Sequence, residues 1–447
     1  MQIKKNKTKI AICGLGYVGY PVAMLFAKAG FNVIGVDLNV ERVQKINRGI
    51  SPIQGKEPGL NELSREIKKK GNFFATTDQA IYKDADVIIV AVETPVEEET
   101  HEPAYIALKS ALKAIGRNLK KDSLVIVEST IAPGTMDNIV KPILEGESGL
   151  NVNRDFLLAN CPERLMPGHL LENIINYNRV VGGMNKEATK VVKSLYKHII
   201  LGKIDETDCI TAEVVKAGEN AYRDVQIAFA NEMALLCEAM GANVWKVREL
   251  INECKKIKET RPEALRQMHL PGAGVGGHCI PKDSWLLVYG AKGLIDPKII
   301  PLARRINNFM PHHMFDLLKE ALKEAGKDIN SVKIAVLGYA YAGNSDDTRN
   351  TPAEPFIKML VHAGSKVIVH DPYVKLYMIS YDKALKNADA LVVITDHDQY
   401  HANRKLTYNK LKRLMKSKKP IIIDGRNCFV KDEAKKAGFI YKGVGNV

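Results

Sequence analysis

The stretch Lys9-Ile-Ala-Ile-Cys13-Gly14-Leu15-Gly16-Tyr17-Val18-Gly19-Tyr20 decides the fold. Its first five residues read as a buried strand. Glycines in Gly-x-Gly-x-x-Gly spacing read as a tight turn, and Tyr20 to Ala29 reads as a helix. Only glycine lets the backbone turn this sharply and approach a pyrophosphate, which then rests on the first N–H groups of the helix. The next strand, Phe31 to Val36, ends in Asp37. A carboxylate there accepts hydrogen bonds from a ribose diol and repels a 2′-phosphate. The residues therefore point to a dinucleotide site that takes NAD rather than NADP.

Further apolar runs, Asp86 to Ala91 and Leu124 to Val127, alternate with helical patterns such as Ala107 to Asn118. Continuous apolar strands belong to a parallel sheet buried on both faces, and the alternation is that of a doubly wound α/β domain. The series recurs near the C-terminus. Lys333 to Gly338 echoes Lys9 to Gly14, Lys366 to Asp371 echoes Asn32 to Asp37, and Ala388 to Ile394 echoes Ala85 to Val90. Pro420 to Asp424 echoes the fourth strand. In the second copy Ala340 replaces the middle glycine of Gly338-Tyr-Ala-Tyr-Ala-Gly343, and its methyl group crowds a pyrophosphate. That copy is expected to hold a sugar nucleotide in some other way.

Between the copies lies a helical segment. Thr211 is the expected cap of a helix with Glu213 in its first turn, running to Met240 and stopped by Gly241. A helix this long is expected either to pair with a second copy in a homodimer or to link two domains as a core element. The expected architecture is two Rossmann-like domains, 1–205 and 321–447, joined by a helical segment, 206–320.

Composition bounds the function. The 447 residues are 46 % hydrophobic and 26 % charged, as in ordinary globular proteins. No apolar run is long enough to span a membrane, and no signal peptide is recognisable, so a cytoplasmic protein is expected. The seven cysteines are scattered, with no Cys-x-x-Cys pair. A disulfide framework or metal site is not expected. The net charge of +14 raises nucleic-acid binding. The lysines, however, lie in dispersed surface-like runs such as Lys68-Lys69-Lys70 with no accompanying motif, and the charge equally suits polyanionic cofactors and substrates.

Two further elements carry chemistry. Lys216 and Asn220 lie one helical turn apart, on one face, where they can donate to an alkoxide or hold a water. Gly272-Ala-Gly274-Val-Gly276-Gly277-His278-Cys279-Ile-Pro-Lys282-Asp283 places a thiol after a glycine-rich loop. Substrate can approach such a thiol closely, loop N–H groups can stabilise an oxyanion, and Lys282 and His278 can favour the thiolate. The other cysteines, Cys13 and Cys237 among them, read as inert packing.

Together with Val92-Glu93-Thr94-Pro95, Ser129-Thr130, Pro162-Glu163 and Asp346-Asp-Thr-Arg349, these residues resemble the UDP-glucose/GDP-mannose dehydrogenase family over nearly the whole chain. The resemblance implies NAD as cofactor and a UDP-sugar substrate. The C6 alcohol is oxidised to an aldehyde, then, as a thiohemiacetal on Cys279, to a thioester that water opens with help from Glu163 or Asp283. Lys216 and Asn220 stabilise developing charge. Cofactor positions carried over are Gly14, Gly16, Tyr17, Val18, Gly19, Asp37, Arg42, Thr94, Thr130, Lys282 and Arg349, with Thr130 also near the chemistry. Substrate positions are Glu163, Arg164, Leu165, Lys216, Asn220, Gly276, Gly277 and Tyr339. Arg266 is the candidate for the arginine that reaches a partner subunit's substrate. Arg164 and His278 resemble the branch that acts on UDP-N-acetylhexosamines, with UDP-N-acetyl-D-mannosamine first and UDP-N-acetylglucosamine or UDP-glucose as alternatives. Ala342 departs from the family, which commonly has lysine there. A two-electron hydroxy-acid-type dehydrogenase and a non-catalytic nucleotide sensor are the competing classes; the first needs neither Cys279 nor a second Rossmann-like domain.

Overall fold

The computed structural model describes residues 1–53, 55, 57–253, 267–401 and 407–446. They form two compact units. The first comprises Met1–Glu219 with Trp285–Asp296, and the second Asn220–Ser284 with Pro297–Val447.

The first unit is built on a sheet of β1 (Lys9–Cys13), β2 (Asn32–Val36), β3 (Phe73–Thr76), β4 (Val87–Val90), β5 (Leu124–Val127), β6 (Leu157–Asn160), β7 (Arg179–Gly183) and β8 (Ile204–Asp208). Their order is β3-β2-β1-β4-β5-β6-β7-β8, parallel except where β7 meets β6. Alternation along the strands separates two cores. Ile10, Ile12, Val87, Ile89, Leu124 and Ile126 pack on one face, and Ala11, Cys13, Ile88, Val90, Val125 and Val127 on the other. Each such side chain contributes about 1.5–3 kcal/mol when fully buried. This explains why the strands read as unbroken apolar runs. Helix α1 (Gly19–Lys28) follows the glycine turn and is buried from Gly19 through Ala27.

The second unit carries β9 (Lys333–Leu337), β10 (Lys366–His370), β11 (Ala390–Val393), β12 (Ile421–Asp424) and β13 (Ile440–Gly443), all parallel in the order β10-β9-β11-β12-β13. The first sheet contains the same succession as β2-β1-β4-β5-β6, so the duplication legible in the sequence is a duplication of topology. It extends to the turns. Gly14 and Gly338 have φ of 91° and 90°. In each copy the carboxylate ending the second strand accepts the next backbone N–H: Leu15 donates to Asp37 at 2.9 Å, and Tyr339 to Asp371 at 2.7 Å.

The long helix is α2 (Cys209–Met240), about 48 Å by its rise per residue. Its cap differs from the expectation. The Asp208 carboxylate accepts from the backbone N–H of Thr211 at 2.8 Å and from its hydroxyl at 3.0 Å, so Thr211 is a donor inside the first turn. Because the helix starts at Cys209, Glu213 lies beyond its first turn, and it accepts from the backbone N–H groups of Gly134 and Met136, both at 2.8 Å. Two further helices matter below, α3 (Ile280–Gly290) and α4 (Ile299–Ala325). Among the described residues no helix is long and apolar enough to cross a membrane.

The fingerprint glycines are not equivalent. A Cβ on Gly19 would lie 1.9 Å from the Gly14 carbonyl oxygen, whereas one on Gly16 would meet no protein atom within 4 Å. Gly19→Ala is therefore expected to destabilise the fold by about 1–3 kcal/mol through backbone displacement, and Gly16→Ala to leave the melting temperature unchanged. Equal thermal unfolding curves for the two variants would contradict this packing.

Candidate active site

In the first unit the cofactor motif lies at the carboxyl ends of β1 and β4, where the strand order reverses and open α/β sheets bind ligands. Tyr17 and Val18 are half-buried in the turn leading to α1. Gly16 supplies the vacant space a pyrophosphate needs. Asp37 is largely committed: one oxygen accepts from Leu15 and from the Arg42 guanidinium at 2.8 Å, the other from the Asn39 N–H at 2.9 Å. A carboxylate offers about four acceptor positions, so one remains for a ribose. At the ends of β4 and β5, the Thr94 hydroxyl donates to the Thr130 carbonyl at 2.6 Å and Ser129 to the Val92 carbonyl at 2.6 Å. These bonds fix two neighbouring loops around the same crevice.

Glu163 follows β6 and is buried. One oxygen accepts the Arg164 N–H at 2.7 Å, and the other is ion-paired with Nη2 of the fully buried Arg179. Arg179 also faces Glu128 at 3.3 Å. The Arg164 guanidinium donates to Glu219 at 2.9 Å through Nε and also contacts the Asn178 carbonyl. Leu165 packs against the hydrophobic core. Lys216 is buried on α2.

In the second unit the loop bearing Cys279 is pinned along its length. At its start, Gly272 N–H donates to Asn231 Oδ1 of α2 at 2.9 Å. In its middle, Gly277 N–H donates to the Arg349 carbonyl at 2.9 Å and the Asn350 side chain donates to the Gly277 carbonyl at 3.0 Å. A Cβ on Gly276 would lie 2.5 Å from Tyr341 Cβ, and one on Gly277 3.0 Å from the Tyr341 ring. Both positions are therefore glycine for packing as well as for access. After the loop, Asn220 donates to Asp283 Oδ2 at 2.6 Å, and Lys282 pairs with Asp283 Oδ1 at 2.6 Å. One turn along α2, Asp224 accepts from Ser284 at 3.0 Å and from Arg304 and Asn307 of α4, both at 2.7 Å.

Cys279 itself caps α3, its carbonyl accepting from Lys282 and Asp283 N–H. Among the described cysteines it alone is not buried. His278 does not act as the sequence led us to expect. Burial, with Lys282 and Arg349 beside it, pushes its imidazole down to about 4, so it is neutral at pH 7 and lends no positive charge to the thiol. Lys282 is the cation of this pair, and it is shared with Asp283. Arg349 is paired with Asp347 at 2.5 Å. Tyr339 stacks obliquely on Tyr377 at 4.5 Å. Arg266 lies outside the described residues.

Family models match along the chain: the NAD-binding domain of the UDP-glucose/GDP-mannose dehydrogenase family at residues 8–200, its central domain at 210–309 and its UDP-binding domain at 335–431. The chain belongs to the UDP-glucose/GDP-mannose dehydrogenase family. It is an NAD-dependent nucleotide-sugar dehydrogenase. The UDP-N-acetyl-D-mannosamine dehydrogenase of Pyrococcus horikoshii is 38% identical over 98% of this chain and 99% of its own. A solved structure of the P. horikoshii enzyme superposes with a TM-score of 0.89, covering 98% and 99%. The NDP-N-acetyl-D-galactosaminuronic acid dehydrogenase of Methanosarcina mazei is 41% identical, covering 98% and 95%, with a TM-score of 0.87. A UDP-glucose dehydrogenase from Pyrobaculum islandicum is 26% identical over the full length of both chains, with a TM-score of 0.83.

Sequence reasoning missed Glu128, beside Glu163 in the first unit, and Tyr341, Asn350 and Asp224, which in the second unit hold the Cys279 loop and the helices around it. Glu128 had a signal, a charge directly ending an apolar strand. The others had none, because each acts through a partner remote in sequence. Asp224 is open to test. Asp224→Ala leaves Arg304 buried without its anion and is expected to cost about 3–5 kcal/mol, with a matching fall in melting temperature. An unchanged melting temperature would show that the pair does not hold these helices.

Proposed function

We propose that this dehydrogenase oxidises the C6 alcohol of UDP-N-acetyl-D-mannosamine to the carboxylate in two stages, through a thiohemiacetal and a thioester on Cys279. The observation that carries the reading is the contrast among the cysteines: five described ones are buried, and Cys279 alone is accessible, at a helix N-terminus and in a loop held rigid at several points. A helix N-terminus favours an anionic sulfur. A hydroxy-acid-type dehydrogenase has no use for such a thiol.

Gly14, Gly16, Gly19, Asp37, Thr94 and Thr130 would hold the dinucleotide, which when bound would supply the hydride acceptor, one NAD for each stage. Lys216 and Asn220 stabilise the negative charge that develops on the alcohol oxygen as its proton passes to water. Cys279 Sγ then adds to the aldehyde carbon, giving a carbon that again bears oxygen and one transferable hydrogen. Oxidation of that adduct leaves a thioester. Glu163 takes a proton from water as its oxygen attacks the thioester carbonyl, the C–S bond breaks, and the sulfur leaves as thiolate. Asp283 accepts from Asn220 and pairs with Lys282, and so serves as scaffold, tying α2 to the first turn of α3. The second unit's repeat holds the UDP moiety in its own manner: Asp371 is closed off by the Tyr339 and Ala340 N–H groups and by His397 at 3.0 Å, so it does not offer a ribose site like that of Asp37.

The N-acetylhexosamine preference is supported by the relatives and by Arg164, whose orientation is set by Glu219 and Asn178. We further propose a homodimer through α2. Tyr222, Phe229 and Leu236 are exposed large apolar residues on this helix, spaced seven apart as in helix-pairing seams. The described cysteines form no disulfide, which suits a cytoplasmic setting.

Cys279→Ser is expected to lower net carboxylate formation at least about 1000-fold while the protein keeps its NAD affinity. In a panel of UDP-N-acetyl-D-mannosamine, UDP-N-acetylglucosamine, UDP-glucose and GDP-mannose, the first should give the highest kcat/KM. Full turnover by the serine variant would refute the thioester route, and a preference for UDP-glucose would refute the role given to Arg164.

A further inference from the structure

Beneath Glu163 lies a cluster of charge that the reaction as described does not use. Arg179 opens β7, with its side chain only 2% exposed. Its Nη1 faces Glu128 Oε1 at 3.3 Å, and its Nη2 is ion-paired with Glu163. Its Cζ stands 5.2 Å from the centre of the Tyr196 ring. Glu128, at the end of β5, accepts the Tyr196 hydroxyl at 2.5 Å through Oε1, while its buried Oε2 has no hydrogen-bond partner. The Cys161 thiol, after β6, adjoins the cluster, and burial pushes it up to about 12. It therefore stays neutral, as does the Tyr196 phenol, which burial and Glu128 raise well above its ordinary range.

We propose that Glu128 and Arg179 are positioning residues for Glu163: Arg179 fixes its carboxylate, and the ionisation of Glu128 sets its strength as a base. This rests on the reading of Glu163 as the group that takes the proton from the hydrolytic water.

Arg179 is a single cation between two carboxylates, so full ionisation leaves one uncompensated negative charge away from water, which is costly. Glu128 gives way, because its ion pair with Arg179 is the longer of the two and its Oε2 faces no cation among the described residues. Burial lifts Glu128 to about 7, against the opposing pull of Arg179. Below that pH Glu128 is neutral, and the whole charge of Arg179 faces the Glu163 carboxylate alone. Above it, a second carboxylate draws on the same guanidinium, which then opposes less the arrival of a proton from water at Glu163. Hydrolysis of the thioester should thus accelerate as pH rises through about 7. A merely structural cluster has no such consequence.

The test uses the full-length enzyme mixed with NAD and UDP-N-acetyl-D-mannosamine, acid-quenched at intervals and weighed intact to follow the sugar adduct on Cys279. Glu163→Gln should accumulate the adduct. Glu128→Gln, nearly isosteric, should hydrolyse it about tenfold more slowly than wild type at pH 8, lose the step near pH 7 and leave KM for the sugar unchanged. Arg179→Lys should slow hydrolysis about 100-fold. Should Arg179→Lys fail to fold, Glu128→Gln with an intact melting curve decides. A Glu128→Gln profile identical to that of wild type overturns the proposal while leaving Glu163 in place. Absence of any adduct in Glu163→Gln overturns the underlying reading of Glu163 instead.

Discussion

Asp224 accepts from Ser284, Arg304 and Asn307, and the placement of Cys279 depends on that interaction. It joins α2 to α3 and α4 in a buried environment. Burial raises the Asp224 carboxyl while Arg304 opposes the shift. One turn back on α2, Asn220 reaches Asp283; further on, Asn231 reaches Gly272. A single face of one helix thus fixes the start of the loop and the helix that follows it. A nucleophile must be held within a fraction of an ångström of its target, and a loop rich in glycine cannot hold itself. Its rigidity is borrowed from α2 and from the Arg349-Asn350 segment.

The duplicated domains show one framework put to two uses. Both copies keep the strand order, the left-handed first glycine and the carboxylate that receives the turn. In the first copy the middle position is Gly16, which faces vacant space. In the second it is Ala340, which is buried, donates its N–H to Asp371 and accepts from Thr395 at 2.5 Å. The second turn has folded inward on itself. Ala340, Thr395 and His397 close in the second copy the turn that Gly16 leaves open in the first.

The parts of this molecule legible in its sequence are those written in local pattern. β1 and β5 fall on the residues expected, and β2, β4 and β9 to β12 differ only at their ends, because apolar runs between turns declare themselves. Gly14, Gly16 and Gly19 declare the turn for the same reason. Thr211 was misread because hydroxyl and carboxylate caps three residues apart compete, and Asp208 is the better acceptor for the frayed N–H groups. His278 was misread because charge depends on burial, which no neighbouring residue reports. Asn350 and Asp224 were invisible because each acts on a residue 60 or more positions away.

In the proposed reaction one thiol, Cys279, lets the same carbon be oxidised twice. The most direct measurement is the ratio of NADH formed to sugar consumed, followed to completion with limiting UDP-N-acetyl-D-mannosamine by absorbance and by quantifying the sugar product. Two NADH for each sugar, with the acid as sole product, is the predicted result. One NADH for each sugar, with the aldehyde released, would contradict it.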